Sequence, residues 1–175
     1  EHVVEQCQRV ANTVKTTLKE GFFPIVLSGD HSSALGTISG IKAASPEKRL
    51  GVIWIDAHAD LHSPFTSPSG NIHGMPLAAA IWEDNLECKI NEPGATTELH
   101  WDNMKNIGIP AQKIKTDDLV YFGLRDFESA EAHLIKKANI KSYKVEEIRF
   151  RGLELCVAEA VEQLKNCDHI YISFD

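Results

Sequence analysis

The sequence lacks an excess of basic residues, a membrane-length apolar run and closely paired cysteines. Its 18 lysines and arginines are outnumbered by 25 aspartates and glutamates, which gives a formal net charge of −7. A nucleic-acid-binding surface needs a basic patch, so this charge balance argues against such a function. No stretch approaches the roughly 20 apolar residues of a membrane-spanning helix, and residues 1–20 show no signal-peptide pattern. We therefore expect no secretion, no membrane insertion and no nucleic-acid partner.

Cysteine is scarce and scattered along the chain. The four cysteines are Cys7, Cys88, Cys156 and Cys167, and no two of them form a C-x-x-C pair. Widely spaced thiols in a chain of 175 residues are expected to be reduced core residues and not a disulfide framework. This cysteine usage predicts a cytoplasmic protein. With 43% hydrophobic and 25% charged residues, the sequence is typical of a folded globular chain.

Helical and strand patterns alternate along the whole sequence. Residues 2–19 carry apolar side chains at intervals of three and four, which predicts an amphipathic helix. The run Leu50–Ile55 is continuously apolar, a pattern typical of a parallel strand buried on both faces. Further strands are predicted at 22–27, 119–123, 140–145 and 169–174, and further helices at 32–44, 73–82, 96–107, 127–138 and 151–164. This alternation predicts an α/β fold with a central, mostly parallel sheet and helices on both faces, a three-layer sandwich.

Acidic and histidine side chains follow the predicted strands. Asp56, His58 and Asp60 come directly after the strand 50–55, and alternate residues of an extended chain point the same way. Two carboxylates and an imidazole crowded together would be unfavourable unless a cation held them. His31 and Asp175 follow two other predicted strands, and ligands bind beyond the carboxyl ends of parallel strands. The sequence therefore predicts a metal site at this edge of the sheet.

The ligand types indicate which metals and which chemistry to expect. Carboxylates and imidazoles without a thiolate favour Mn²⁺, Fe²⁺ or Zn²⁺ over Ca²⁺ or an iron–sulfur centre. The carboxylates are numerous enough to bridge two ions, an arrangement that generates a hydroxide nucleophile at neutral pH. Metal-assisted hydrolysis is the reaction class that this pattern predicts.

Four sequence blocks resemble the ureohydrolase family, which includes arginase, agmatinase and formimidoylglutamase. They are G-D-H-S at 29–32, D-A-H-A-D at 56–60, S-G-N-I-H-G at 69–74 and S-F-D at 173–175. The second block marks the wider family, whereas the third is similar to arginases in particular. The resemblance implies an arginase-like fold and hydrolysis of L-arginine to L-ornithine and urea by a hydroxide that bridges two Mn²⁺ ions. It also implies a cytoplasmic enzyme of arginine metabolism that acts on the C–N bonds of linear amidines and forms a homo-oligomer.

The resemblance also implies roles for individual residues. The matching metal ligands are His31, Asp56, His58, Asp60 and Asp175, with Asp56 and Asp175 matching the bridging carboxylates. His73 matches a loop histidine that shuttles protons. Among the substrate-binding positions, Ser69 and Asn71 match those that hold the α-carboxylate, and Ser67 matches a hydroxyl position in the same loop. The segment R-D-F-E-S-A-E at 125–131 resembles the one that receives the α-ammonium group, with Glu128 and Glu131 as its negative charges. His62 also stands at a substrate-binding position.

The sequence departs from the family pattern at three places. His62 stands where animal arginases carry Asn, and Glu128 stands where many arginases carry Asp. After S-F-D the family motif continues to a second aspartate, a metal ligand that this sequence does not contain. We therefore expect residues 1–175 to form a single, truncated arginase-type domain that is incomplete at both ends and lacks the C-terminal part of the family domain.

Two alternatives to an arginase stay open. The first is agmatinase or another hydrolase of guanidino substrates, which needs no site for an α-carboxylate; the loop with Ser67, Ser69 and Asn71 counts against it. The second is a non-catalytic, truncated fragment that binds metal, because the missing ligand leaves one metal position incomplete.

Overall fold

Seven α-helices and four β-strands make up the computed structural model, which describes residues 1–175. The helices are α1 (His2–Lys19), α2 (Ser33–Ala44), α3 (Pro76–Ile81), α4 (Ala95–Lys105), α5 (Ser129–Lys137), α6 (Val145–Arg151) and α7 (Leu153–Gln163). The strands are β1 (Leu50–Ile55), β2 (Leu119–Phe122), β3 (Lys141–Tyr143) and β4 (His169–Phe174). None of the helices combines the length and apolar character that crossing a bilayer requires.

The chain divides into two compact units, each of which combines two stretches of sequence. The first unit consists of residues 1–47 and 60–113, and the second unit consists of residues 48–59 and 114–175. The first unit contains α1 to α4, and the second contains all four strands with α5 to α7.

The sheet of the second unit is entirely parallel, in agreement with the mostly parallel sheet that the sequence predicts. Its strand order is β3-β2-β1-β4, and β1 lies at the predicted residues. Ile55 is in register with both Phe122 and Phe174, so β1, β2 and β4 end at the same level. A buried cluster joins the sheet to α7 through Val120, Phe122, Tyr143, Cys156, Ala160 and Leu164. Because parallel strands end together, the residues that follow them are brought to one edge of the sheet.

The strand β4 forms one edge of the sheet and pairs only with β1. Three of its alternate side chains lie on one open face: Ile170 is 44% exposed, Ile172 is 59% exposed and Phe174 is 81% exposed. Parallel sheets normally carry helices over both faces. The exposures of Ile170, Ile172 and Phe174 show that this face of β4 departs from that pattern.

Two glycines allow α1 and α2 of the first unit to pack closely. A Cβ atom on Gly36 would lie 2.6 Å from the carbonyl oxygen of Cys7, and one on Gly40 would lie 2.6 Å from that of Ala11. The predicted helix 2–19 is confirmed as α1, and its buried residues Cys7, Ala11 and Val14 face this contact. The small residues of α2 thus set the distance between the two helices.

Two parts of the predicted secondary structure are wrong. Residues 22–27 are not a strand, and Phe23 and Leu27 are 87% and 94% exposed. Apolar sequence alone does not form a strand, which needs the hydrogen bonds of a neighbour, and the four-stranded sheet does not include this segment. The predicted strand 140–145 ends at Tyr143, and the helix α6 follows it without having been predicted. Gly152, with a φ of 90°, separates α6 from α7.

Candidate metal centre and substrate loop

His31 and Asp60 form a close pair within the first unit. The Nδ1 atom of His31 lies 2.9 Å from Oδ2 of Asp60, and the two side chains are only 13% and 6% exposed. His31 lies in the turn before α2, where the Ala34 amide donates to the His31 carbonyl oxygen over 3.0 Å. The structure therefore brings two of the five predicted metal ligands together inside this unit.

The backbone of residues 56–60 bends instead of running straight. Bends occupy positions 56 to 58, and Asp60 has a φ of 52°, in the left-handed region that L residues rarely adopt. The prediction that this stretch is extended is therefore wrong. Asp60 reaches His31 through a turn, and the Leu77 amide donates to the Asp60 carbonyl oxygen over 3.1 Å.

Asp56, His58 and Asp175 lie at the carboxyl edge of the sheet in the second unit. Asp56 is 4% exposed, and its Oδ1 accepts a hydrogen bond of 2.9 Å from the His58 amide. The same oxygen lies 3.3 Å from Nδ1 of His58, whose side chain is 58% exposed. The Asp175 amide donates to the Ile55 carbonyl oxygen over 3.1 Å. Asp56 and Asp175 thus follow two paired strands at corresponding positions.

Two loops of the second unit are joined by backbone hydrogen bonds beside Asp56. The Asp56 amide donates to the Phe122 carbonyl oxygen over 3.0 Å, which continues the ladder between β1 and β2. The amides of Arg125 and Asp126 both donate to the Ala57 carbonyl oxygen over 2.9 Å. The turn that carries Asp56 is therefore fixed by main-chain contacts to the next strand.

His73 lies on a short 3₁₀ helix, Ile72–Gly74, and its side chain is 55% exposed. Its Nδ1 lies 3.8 Å from Oδ2 of Asp30, which precedes His31 in the first unit. Burial opposes the charge of Asp30, but hydrogen bonds from Ser32 and the neighbouring imidazoles of His73 and His31 keep the pKa of Asp30 below its usual value. The His73 imidazole is therefore accessible to solvent and lies beside a carboxylate of the same unit.

The loop 63–71 is stabilised by its own serine hydroxyl groups. The Ser67 hydroxyl accepts the Gly70 amide over 3.0 Å, and the Ser69 hydroxyl accepts the Asn71 amide over 3.2 Å. Each serine keeps its O–H hydrogen available for donation. Ser69 and Asn71 are exposed, whereas Ser67 is only 4% exposed. The structure therefore places Ser69 and Asn71 where a small molecule can reach them and Ser67 inside the loop.

His62 lies at the base of the same loop and is only 6% exposed. Its Nδ1 lies 3.1 Å from Oγ1 of Thr66, and its amide donates to the Gly74 carbonyl oxygen over 3.0 Å. Within the first unit, His62 therefore packs into the loop and supports it.

Glu128 and Glu131 form a reciprocal cap at the start of α5. The Glu128 side chain accepts the Glu131 amide, and Oε2 of Glu131 accepts the Glu128 amide over 3.0 Å. Glu128 is exposed, whereas Glu131 is 3% exposed. Both residues therefore have a structural role in the second unit, and the exposed Glu128 carboxylate remains accessible from solvent.

Two acidic residues lie beside predicted site residues in the structure but were not themselves predicted from the sequence. Asp30 lies 3.8 Å from His73, and Oδ2 of Asp126 lies 3.9 Å from Nε2 of His58. Asp30 belongs to the block G-D-H-S and directly precedes His31, and Asp126 lies two residues before Glu128. This nearness to candidate residues in the sequence is the signal that could have identified them.

The donor set fits a divalent transition metal ion. The side chains are carboxylates and imidazoles, the donors that suit Mn²⁺, Fe²⁺ and Zn²⁺. Both buried carboxylates, Asp56 and Asp60, have an imidazole nitrogen within 3.3 Å, inside the same unit in each case. The fold and these residues define an α/β protein with candidate metal ligands, of which Asp56 and Asp175 directly follow parallel strands, whereas His31 does not follow a strand.

Comparison with known proteins identifies the family. The sequence profile described as "Arginase family" matches residues 1–175. The arginase of Brevibacillus brevis is 40% identical over 176 residues, which cover 100% of this chain and 53% of that protein. The arginase of Bacillus subtilis (strain 168) is 36% identical over 168 residues, which cover 96% of this chain and 51% of that protein. The crystal structure of arginase from Bacillus cereus has a TM-score of 0.85 and 35% identity, over 99% of this chain and 54% of that one.

The chain belongs to the arginase family, and its α/β fold is arginase-like. It spans about half the length of the curated relatives that it matches. The resemblance inferred from the four sequence blocks is confirmed.

Proposed function

We propose that this chain contributes the manganese-binding part of an arginase, which hydrolyses L-arginine to L-ornithine and urea. The observation that carries the proposal is the placement of Asp56 and Asp175 directly after the paired strands β1 and β4. Membership of the arginase family supports this function, because the family's metal-dependent hydrolases act on C–N bonds.

The proposed metal ligands are His31, Asp56, His58, Asp60 and Asp175. Bound Mn²⁺ ions would supply Lewis acidity, which makes water nucleophilic at neutral pH. The protein prepares the ligands by burying the carboxylates of Asp56 and Asp60 beside imidazole nitrogens, where their charge favours a cation.

The remaining residues bind the substrate and move protons. In this proposal, Ser69 and Asn71 donate hydrogen bonds to the α-carboxylate, and Ser67 maintains the loop that presents them. Glu128 and Glu131 offer negative charge to the α-ammonium group. His73 is exposed and lies beside Asp30, so it is suited to deliver a proton to the leaving amine.

We place His62 in the same site as a residue that shapes the loop. It stands at a substrate-binding position of the family, and its hydrogen bond to Thr66 fixes the base of the loop 63–71.

We further propose that residues 1–175 are one truncated arginase domain of a cytoplasmic enzyme that forms a homo-oligomer. The four free cysteines fit a reducing compartment, and the oligomer is proposed from the family resemblance alone.

The test of this function measures metal binding and urea release separately. Isothermal titration with MnCl₂ is performed on the chain, on Asp56→Asn, and on Asp102→Asn as a control in α4. Asp56→Asn should lose at least tenfold in Mn²⁺ affinity, whereas Asp102→Asn, whose carboxylate is 63% exposed, should match the unaltered chain. Equal affinities in all three proteins would refute the proposed ligand set.

Urea release is then compared for L-arginine and agmatine with the Mn²⁺-loaded chain. A preference for L-arginine supports the proposal. A preference for agmatine would show an agmatinase-type hydrolase and contradict the assignment of Ser69 and Asn71. Absence of urea with both substrates, while Mn²⁺ binds, would show a non-catalytic metal-binding fragment.

A further inference from the structure

Asn91 connects a distant stretch of the first unit to the loop 63–71. Its side-chain Nδ2 donates to the Ser67 carbonyl oxygen over 2.7 Å and to the Pro64 carbonyl oxygen over 3.1 Å. Its backbone amide donates to the Phe65 carbonyl oxygen over 3.0 Å, as the Ile90 amide does over 2.8 Å. One asparagine therefore makes three of the four hydrogen bonds between this stretch and the loop.

The amide side chain is well suited to this contact. An Asn –NH₂ group has two hydrogens, and both are used here on two different carbonyl oxygens. An aspartate of nearly identical shape would offer no hydrogen and would face the same carbonyl oxygens with a negative charge. The contact therefore depends on the amide chemistry of Asn91 and not on its size.

Several groups hold the loop, and the Asn91 side chain adds the contact to the Ser67 carbonyl group. Near residue 63, the Ser63 hydroxyl donates to the Asp84 carbonyl oxygen over 2.6 Å, and the amides of Thr66 and Ser67 donate to the Ser63 carbonyl oxygen. Beyond Ser67, the Gly70 amide is held by the Ser67 hydroxyl. Ser67 directly precedes the exposed part of the loop, which contains Ser69 and Asn71. Because Asn91 binds the Ser67 carbonyl group, it helps to fix where that exposed part begins.

We propose that Asn91 is a positioning residue for substrate selectivity, which fixes the loop so that Ser69 and Asn71 present their hydrogen-bond donors to an α-carboxylate. This inference rests on the proposed function, because it deepens the role assigned to the same loop. Asn91 itself does not touch the substrate. Loss of its side-chain hydrogen bonds should weaken binding of α-amino acids and leave binding of the corresponding amines without the carboxylate unchanged.

The experiment uses Asn91→Asp and Asn91→Leu, with Asn106→Asp as the matched control. Asn106 also donates its side-chain amide to a backbone carbonyl oxygen, that of Asp102 over 2.7 Å, but at the end of α4 and outside the loop. The first readout is hydrogen exchange. The Ser67, Gly70 and Asn71 amides should exchange about tenfold faster in both Asn91 variants, and amides of α1 should keep their rates.

The second readout is calorimetric binding of L-ornithine and putrescine to the Mn²⁺-loaded proteins. These two diamines differ in the α-carboxylate, so their comparison isolates that group. The Asn91 variants should bind L-ornithine about tenfold more weakly, because the loop loses the two side-chain hydrogen bonds that fix the position of its donors. Their affinity for putrescine should remain that of the unaltered chain.

The outcomes separate this inference from the proposed function. Unchanged exchange of the loop amides, or equal weakening of L-ornithine and putrescine, would overturn the positioning role of Asn91. If the unaltered chain itself bound both diamines equally, the carboxylate assignment of the loop would fail, and the selectivity role of Asn91 would fail with it. A loss of L-ornithine affinity in Asn106→Asp as large as in Asn91→Asp would also contradict the inference.

Discussion

Lys113 is a buried ammonium group in the first unit, and its replacement provides a quantitative test of the structure. The residue is 2% exposed, its Nζ donates to the Lys105 carbonyl oxygen, and the same atom lies 5.7 Å from the centre of the Trp82 ring. Burial disfavours the charged form and lowers the pKa of Lys113 from 10.5 to about 8.

The lowered pKa sets the sign of the pH dependence. Between pH 8 and 10.5 the unfolded chain binds more protons at Lys113 than the folded chain does, so the free energy of unfolding rises with pH. Each pKa unit corresponds to about 1.4 kcal/mol. Integrated from pH 7.5 to pH 9.5, the Lys113 contribution to stability rises by about 2 kcal/mol. Lys113→Met removes this contribution.

Urea denaturation at both pH values measures the effect, with Lys115→Met as the control at an exposed lysine. Lys113→Met should be more stable than the parent at pH 7.5, and this advantage should shrink by about 2 kcal/mol at pH 9.5. Burial raises the pKa of the Cys7 thiol to about 11, which gives the opposite trend, but that trend is common to all three proteins and cancels in the difference.

A stability difference between Lys113→Met and the parent that stays constant from pH 7.5 to pH 9.5 would refute the reasoning. It would show that the Lys105 carbonyl group and the Trp82 ring stabilise the ammonium group enough to offset its burial. The Lys115→Met protein should show the pH dependence of the parent.

Three further predictions concern packing, a charge pair and the metal. Gly36→Ala should lower the free energy of unfolding by about 2 kcal/mol, because the new Cβ would lie 2.6 Å from the Cys7 carbonyl oxygen. Gly29→Ala has open space and should have little effect; equal losses would contradict the close helix contact. The 1% exposed Asp118 carboxylate binds the Arg49 guanidinium through two nitrogens, whereas the pair of Lys48 with Asp168 is exposed. Asp118→Asn should therefore lower the urea midpoint at least twice as much as Lys48→Ala. Removal of Mn²⁺ with EDTA should lower the Tm of the loaded chain to that of the metal-free chain, and an unchanged Tm would argue against a metal site.

The helix α1 and the strand β1 were predictable from the sequence, and both predictions are confirmed. The amphipathic pattern of 2–19 specifies a helix through its own residues, whereas the apolar run Leu50–Ile55 forms a strand because β2 and β4 lie on either side of it. Residues 22–27 have the same apolar character but no strand beside them, and strand formation depends on that neighbour. The helix α6 is not predictable in this way, because its 7 residues are fewer than the roughly 11 over which apolar periodicity identifies a helix.

The candidate site was predictable as a set of residue types but not as a geometry. The apolar runs of β1 and β4 correctly predicted that Asp56 and Asp175 follow paired strands, because the register between parallel strands is regular. The bends through 56–58 and the reciprocal cap of Glu128 and Glu131 depend on backbone torsions that periodicity does not encode. The signal for the cap is the pair of glutamates three residues apart at the start of a helix.

The left-handed backbone of Asp60 implies a trade-off between stability and function. A φ of 52° costs an L residue about 1 kcal/mol or more, whereas glycine adopts it freely. Asp60→Gly would therefore relieve conformational strain and at the same time remove the carboxylate that lies 2.9 Å from His31. Selection for stability alone would favour glycine at this position. The presence of aspartate at position 60 indicates that the chemistry of its carboxylate outweighs the conformational cost of its backbone.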